Sequence, residues 1–213
     1  MKNIAFIINP MSGTSNKRRL PKLINELLDK RQWLENIVFT EHVGHALALA
    51  KQYATMGFDA VVAVGGDGTV REVAEGVRGS RSALGIIPMG MTNTLARHLS
   101  LPLRGNAMIT GLNRSEPILC DSLDVTIDDE KPIVAMTEVK VGEVRLINCA
   151  QRVKTSIQDG FLERLAVSGE RLAADSIEYS GQVIVDSEEY EAERGVKVSV
   201  AEDSIYVLAQ KRF

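Results

Sequence analysis

The chain has 213 residues, 45% apolar and 25% charged, with a formal net charge of -3. That length suits one large domain or two modest ones, and the composition is that of an ordinary globular protein. So balanced a charge argues against a nucleic-acid partner, since duplex binders concentrate Lys and Arg on one face. The densest basic run, Lys17-Arg18-Arg19, reads as a solvated first turn of a helix.

The opening MKNIAFIINP is too short and lacks the flanks of a secretory signal, so it reads as a first strand. Residues 3–8 form a buried parallel strand closed by Asn9 and Pro10. NPMSGTSNKRR follows as a loop, and Leu20, Leu23, Ile24, Leu27 and Leu28 then recur at helical spacing behind Pro21. Ile37–Phe39 predicts a second strand ending at Thr40. HVGHALALAKQYATMGF predicts a helix stopped by Gly57. A third strand, 59–64, runs into GGDGT, and a helix over 70–77 follows it. Residues 83–87 make a fourth strand closed by Pro88, and PMGMTN leads into a short helix over 92–99.

This alternation predicts an α/β fold: a parallel-sheet, Rossmann-like nucleotide-binding domain over 1–102. Its polar loops all follow strand C-termini, where open α/β sheets bind ligands. From 103 onward the character changes. LPLRGNAMITGLNRSE reads as a linker with a helix, and β-prone pieces then dominate, the last being SIYVLA. Residues 103–213 therefore form a smaller β-rich domain of antiparallel strands, with an added helix over 161–174.

Cys120 and Cys149 read as reduced structural thiols, and His42, His45 and His98 form no metal signature. No segment has the apolar length to span a membrane. A cytoplasmic location is expected.

The chemistry gathers at the strand ends. Glycines let backbone approach a phosphate, and successive N–H groups at a helix start attract anions. Ser12 and Thr69 bring hydroxyls, Asn93 a group to bond a phosphate or fix its loop, and Asp67 a carboxylate for magnesium. GGDGT is not a Walker A loop, for no G-K-S/T ending follows, and it lacks GxGxxG spacing.

NPMSG, TEHVGHA, VVAVGGDGTVREV and LGIIPMGMTNTLARHLSLP stand in an order and spacing that resembles the diacylglycerol kinase catalytic-domain family, which includes bacterial lipid kinases and sphingosine kinases. NAD kinases share GGDGT more distantly. The resemblance implies ATP and Mg2+ bound at the cleft and a γ-phosphoryl group passed to a lipid hydroxyl such as that of diacylglycerol. It places Asn9, Pro10, Ser12 and Gly13 at a first phosphate-side loop and Thr40 near the nucleotide. It implies a phosphate and metal site at Gly65, Gly66, Asp67, Gly68 and Thr69, with Glu72 holding Arg18 or a neighbouring loop. Pro88, Gly90 and Asn93 complete the ATP site, and Asp67 carries the catalytic and metal roles.

Near the end, VIVDSEEYE resembles the family's V-D-G-E-like turn, with Ser187 in place of glycine. The resemblance makes Asp186 and Glu188 catalytic candidates, as base or in the magnesium network. Two departures stand out. Met91 replaces a smaller residue, and VGEVRLINCAQRVKTSIQDG replaces a glycine-rich passage in a shortened second domain that should complete the cleft. The leading reading is an ATP-dependent lipid kinase with peripheral membrane contact. The alternatives are a degenerate or regulatory ATP-binding relative without transfer, and a kinase for NAD or another soluble alcohol. Exposed strands in the short β domain would favour a homodimer.

Overall fold

The computed structural model describes residues 1–13, 17–142, 144–149, 152–156, 175–201 and 203–210. The helix expected over 161–174 lies outside them.

The chain divides into two compact units, Met1–Leu119 with Ile205–Phe213, and Cys120–Ser204. The division falls later than the 102/103 junction read from composition, because the α/β unit continues through the next helix and strand.

The first unit is built on a six-stranded sheet. In chain order its elements are β1 (Lys2–Ile8), α1 (Leu20–Leu27), β2 (Trp33–Phe39), α2 (His45–Thr55), β3 (Ala60–Gly65), α3 (Asp67–Val77), β4 (Ala83–Pro88), α4 (Thr94–His98), α5 (Ala107–Leu112) and β5 (Glu116–Cys120). A 3-10 turn, Lys17–Arg19, precedes α1, and Pro21 sits in the first turn of that helix, where its missing N–H costs little. Strands β1 to β4 pair in parallel, and all side chains of β3 and β4 are buried, as expected of strands covered on both faces.

One helix starts earlier than the sequence predicts. Gly66 takes the N-cap of α3 and the first helical bond runs from Val70 N to Gly66 O, so Asp67, Gly68 and Thr69 form its first turn. Asp67 thereby sits at the positive end of the helix dipole.

Sheet order is β2-β1-β3-β4-β15-β5, where β15 is Ile205–Ala209. The expectation that SIYVLA joins the antiparallel domain is corrected here, since β15 pairs parallel to β4 through Val207 and Leu84. Its unbroken apolar run, IYVLA, carries no mark of which sheet it joins. Leu208 joins the core of Ile4, Phe6, Ile8, Ile24, Val62 and Ile87. The order turns at β1, which has β2 on one side and β3 on the other, so the loops after β1 and β3 flank a topological switch point.

The second unit holds two antiparallel sheets. One comprises β6 (Leu123–Ile127), β7 (Ile133–Ala135), β11 (Asp175–Glu178) and β14 (Gly195–Val200) in the order β11-β14-β6-β7. The other comprises β8 (Glu138–Val141), β9 (Val144–Cys149), β10 (Arg152–Ser156), β12 (Gly181–Val185) and β13 (Glu188–Ala192) in the order β10-β9-β8-β12-β13. Val125, Val139, Val183, Val185 and Val196 meet in its core. Residues 118–127, ILCDSLDVTI, form one β-prone run in the sequence, but Asp121-Ser122 divides it between β5 and β6.

Candidate functional site

Three loops of the first unit meet at the C-terminal edge of its sheet. The β1 loop is shaped by Asn9. Its Oδ1 accepts from Met11 N at 2.9 Å, and its carbonyl accepts from the Ser12 hydroxyl at 3.1 Å. Asn9 Nδ2 donates to Thr69 Oγ1 at 3.1 Å, tying this loop to the first turn of α3. A Cβ on Gly13, whose φ is +58°, would run into the carbonyl oxygen of Met89, so the first loop also rests on the third.

The β3 and β4 loops touch backbone to backbone. Asn93, itself left-handed at φ 52°, accepts from Gly90 N at 2.9 Å and donates to Gly90 O at 2.8 Å. The half-buried Asp67 carboxylate accepts from Asn93 N at 2.9 Å through Oδ2 and from Thr94 N at 2.6 Å through Oδ1. Asp67 thus organises the start of α4 from a neighbouring helix. Each of its oxygens accepts one bond, which leaves about half of a carboxylate's lone-pair sites open. Buried Pro88 pairs with Gly65 across the strands and anchors the third loop.

A cavity of about 410 Å3 opens beside the cluster, lined by Asn9, Pro10, Thr40, Gly68, Thr69 and Glu72, together with Met11, Glu41, His42, Val43 and Ala46. The volume lies in the range of small-molecule sites. Glu72 holds the rim. Its carboxylate accepts from Gly44 N at 3.0 Å and Ala46 N at 3.1 Å, fixing the start of α2. The hydroxyls of Ser12 and Thr69, expected to face a phosphate, are engaged within the loops. Met91, the larger residue in this loop, is 94% exposed.

Lys17 corrects the solvated reading of its basic run. Arg18 and Arg19 are exposed, but Lys17 is only 4% exposed. Its Nζ donates to the Ser12 carbonyl, with the Pro10 carbonyl at 3.5 Å. Burial pulls its ammonium below the usual lysine range. Nothing in the local pattern KRR separates the lysine that folds back from the arginines that do not.

Asp186 and Glu188 belong to the second unit. Asp186 and Ser187, at φ 48° and 75°, form the two-residue turn between β12 and β13. The Asp186 carboxylate is buried and receives four donors. Oδ2 accepts from Met136 N at 2.6 Å, while Oδ1 accepts from Thr137 N at 2.7 Å, Thr137 Oγ1 at 2.6 Å and Glu138 N at 3.0 Å. Burial pushes this carboxyl up, against the pull of those hydrogen bonds. Thr137, its side-chain partner, had no signal in the sequence. Glu188 is half-buried and accepts from the Tyr190 hydroxyl at 2.9 Å.

Among the described residues, no group of three or more His, Cys, Asp or Glu is placed to hold a metal, and no helix is long and apolar enough to cross a membrane. Cys120 is a buried free thiol pushed up to about 11 by burial and by the nearby Asp121 charge, in line with an unreactive structural cysteine.

Comparison with known proteins places these loops in context. Over 104 residues, 47% of this chain, the sequence is 39% identical to a diacylglycerol kinase of Staphylococcus saprophyticus. Over 104 residues it is 35% identical to a diacylglycerol kinase of Bacillus subtilis strain 168. The match spans only 34% of the length of either relative. A crystal structure of a diacylglycerol kinase from Bacillus anthracis str. Sterne shares the fold, with a TM-score of 0.70 at 14% identity, covering 98% of this chain and 97% of that one. The model of the diacylglycerol kinase catalytic domain matches residues 3–125, which include every loop of the cluster. Because that match spans more than half of the sequence, the chain belongs to the diacylglycerol kinase catalytic-domain family.

Proposed function

We propose that the protein is an ATP-dependent lipid kinase that passes the γ-phosphoryl group to a lipid hydroxyl such as that of diacylglycerol. The observation that carries this reading is a 410 Å3 cavity at the switch point of a parallel sheet, lined by the β1 loop, the loop after β2 and the first turn of α3, with the β4 loop fastened to that turn through Asp67.

The residues fit a nucleotide. Gly90 approaches Gly66 so closely that a side chain on Gly90 would part them, leaving bare backbone at the start of α3, where anions are favoured. They also fit a magnesium ion held in the usual way, by one or two carboxylates plus phosphate oxygens and water. Asp67 would be that carboxylate, because its oxygens retain acceptor sites after holding Asn93 and Thr94. When bound, the ion supplies charge neutralisation for the phosphates.

The proton of the acceptor hydroxyl needs a base. Asp186 is ill suited, as its carboxylate is buried and accepts four bonds, three of them at Oδ1. Glu188, half-buried and accepting from the Tyr190 hydroxyl, is the less enclosed of the two carboxylates and the better candidate. The acceptor lipid implies peripheral contact with a membrane.

The burial of Asp186 and its engagement by Met136, Thr137 and Glu138 also favour a second reading, a relative that binds ATP without transferring it. One assay separates the two. The purified chain is incubated with Mg2+ and ATP and with vesicles containing diacylglycerol or sphingosine, with NAD, or without acceptor. A phosphorylated lipid supports the kinase. Tight ATP binding with no product supports the second reading, and neither binding nor product sinks both.

A further inference from the structure

The buried ammonium of Lys17 has no place in the chemistry assigned so far. A lysine at 4% exposure is unusual, since such side chains are seldom buried without partners. Here the partners are two backbone carbonyls of a single short loop, those of Pro10 and Ser12. The rest of the loop is wired inward by Asn9, which holds Met11 N and the Ser12 hydroxyl. Lys17 does not line the cavity, whereas Asn9, Pro10 and Met11 do. Its positive charge therefore stands behind the loop whose other face borders the candidate donor site.

We propose that Lys17 is a positioning residue of the phosphate-donor site. Its ammonium clamps the Pro10 and Ser12 carbonyls, sets the shape of the β1 loop and adds a fixed positive charge behind it for the polyphosphate of the nucleotide. The inference rests on the kinase reading only in needing a polyphosphate ligand at this cavity. The clamp acts in two ways. Drawing two carbonyl oxygens onto one cation fixes their peptide planes, and so the direction of the neighbouring N–H groups. A charge held in a partly desolvated setting also acts on an anion more strongly than a solvated surface lysine does. Arg18 and Arg19, exposed on the same turn, lack that setting.

The test measures binding of Mg–ATP, inorganic tripolyphosphate and adenosine to the full chain by calorimetry. It compares the parent with Lys17→Met, Lys17→Gln and Lys17→Arg, each with its melting temperature. Lys17→Gln keeps a donor for the carbonyls but loses the charge, so it serves if Lys17→Met fails to fold. Both neutral variants should bind Mg–ATP and tripolyphosphate about tenfold or more weakly, with adenosine affinity within about twofold of the parent. Lys17→Arg should recover most of the loss. Unchanged tripolyphosphate binding in the neutral variants overturns the role of Lys17 and leaves the kinase reading standing. An equal weakening of adenosine and tripolyphosphate, with a fall in melting temperature, also overturns it in favour of a general packing role. A parent chain that binds neither ATP nor tripolyphosphate defeats the nucleotide reading and the Lys17 role together.

Discussion

A Cβ built on Gly90 would stand 2.5 Å from the Cα of Gly66. The loops after β3 and β4 therefore meet through bare backbone, and Gly90 cannot gain a side chain without displacing the β3 loop. Gly90→Ala should force them apart and pull Asn93 off its two bonds to Gly90. A loss of about 1–3 kcal/mol in stability is expected, as for other overpacked sites. Mg–ATP affinity should fall by about tenfold or more. Urea unfolding and nucleotide titration of the variant measure the two effects separately.

Asp67→Asn replaces a carboxylate that accepts from two N–H groups by an amide that can accept through only one atom. Its Nδ2 would face either Asn93 N or Thr94 N, donor against donor. The start of α4 should loosen by about 1–2 kcal/mol. Transfer should fall by about a hundredfold if the carboxylate also neutralises the phosphate site. Full turnover in a folded variant would remove Asp67 from the chemistry and leave it as a helix-capping group.

The turn between β12 and β13 should respond in opposite directions to changes at its two residues. Asp186→Ala strands three backbone N–H groups and the Thr137 hydroxyl in a buried setting, which should cost about 3 kcal/mol or more. Ser187→Gly removes a side chain from a left-handed position at φ 75° and should gain up to about 1 kcal/mol. Chemical unfolding of both variants against the parent checks the pair. A stable Asp186→Ala variant that has lost only turnover would instead speak for a catalytic aspartate.

Asp128 gives a pH signature. Its half-buried carboxylate accepts from Glu193, Arg194 and Gly195 N at 2.7–2.9 Å, and these bonds hold it below the usual carboxylate range. A folded-state value below the unfolded one of about 3.9 stabilises the protein above that pH, and the gain fades as pH falls through the depressed value. Asp128→Asn should therefore melt lower than the parent at pH 7. The gap should narrow in melting curves taken below about pH 4. A gap that stays constant down to pH 2 would show that the charge of Asp128 contributes nothing.

Most of the first unit was legible because its signals are local. Buried runs such as 60–65 end in glycine, proline or asparagine, and the motifs themselves lie in loops that follow strands. The start of α3 was misplaced because GGDGT reads as loop, although Gly66 can cap and Asp67 suits a first turn. The motif loops of the first unit lie at one sheet edge, but their bonds run partly among themselves, as Asn9 to Thr69 and Asp67 to Asn93. Pairings of that kind depend on which loops become neighbours. Lys17 was hidden for a similar reason, since only the folded loop supplies carbonyls for it. SIYVLA carries a strand pattern but no mark of its partner, and the donors to Asp186 come from Met136–Glu138, far back along the chain.

The place of β15 between β4 and β5 bears on how the protein is made. On the ribosome, β4 and β5 emerge long before the strand that separates them. Until Ile205–Ala209 arrives they must either stay apart or pair with each other out of register. The whole second unit is synthesised in that interval, and it can condense on its own neighbours, since its sheets are drawn from its own strands. Completion of the nucleotide-side sheet is therefore a late, non-local event, of the kind that slows folding and leaves strand edges open to aggregation.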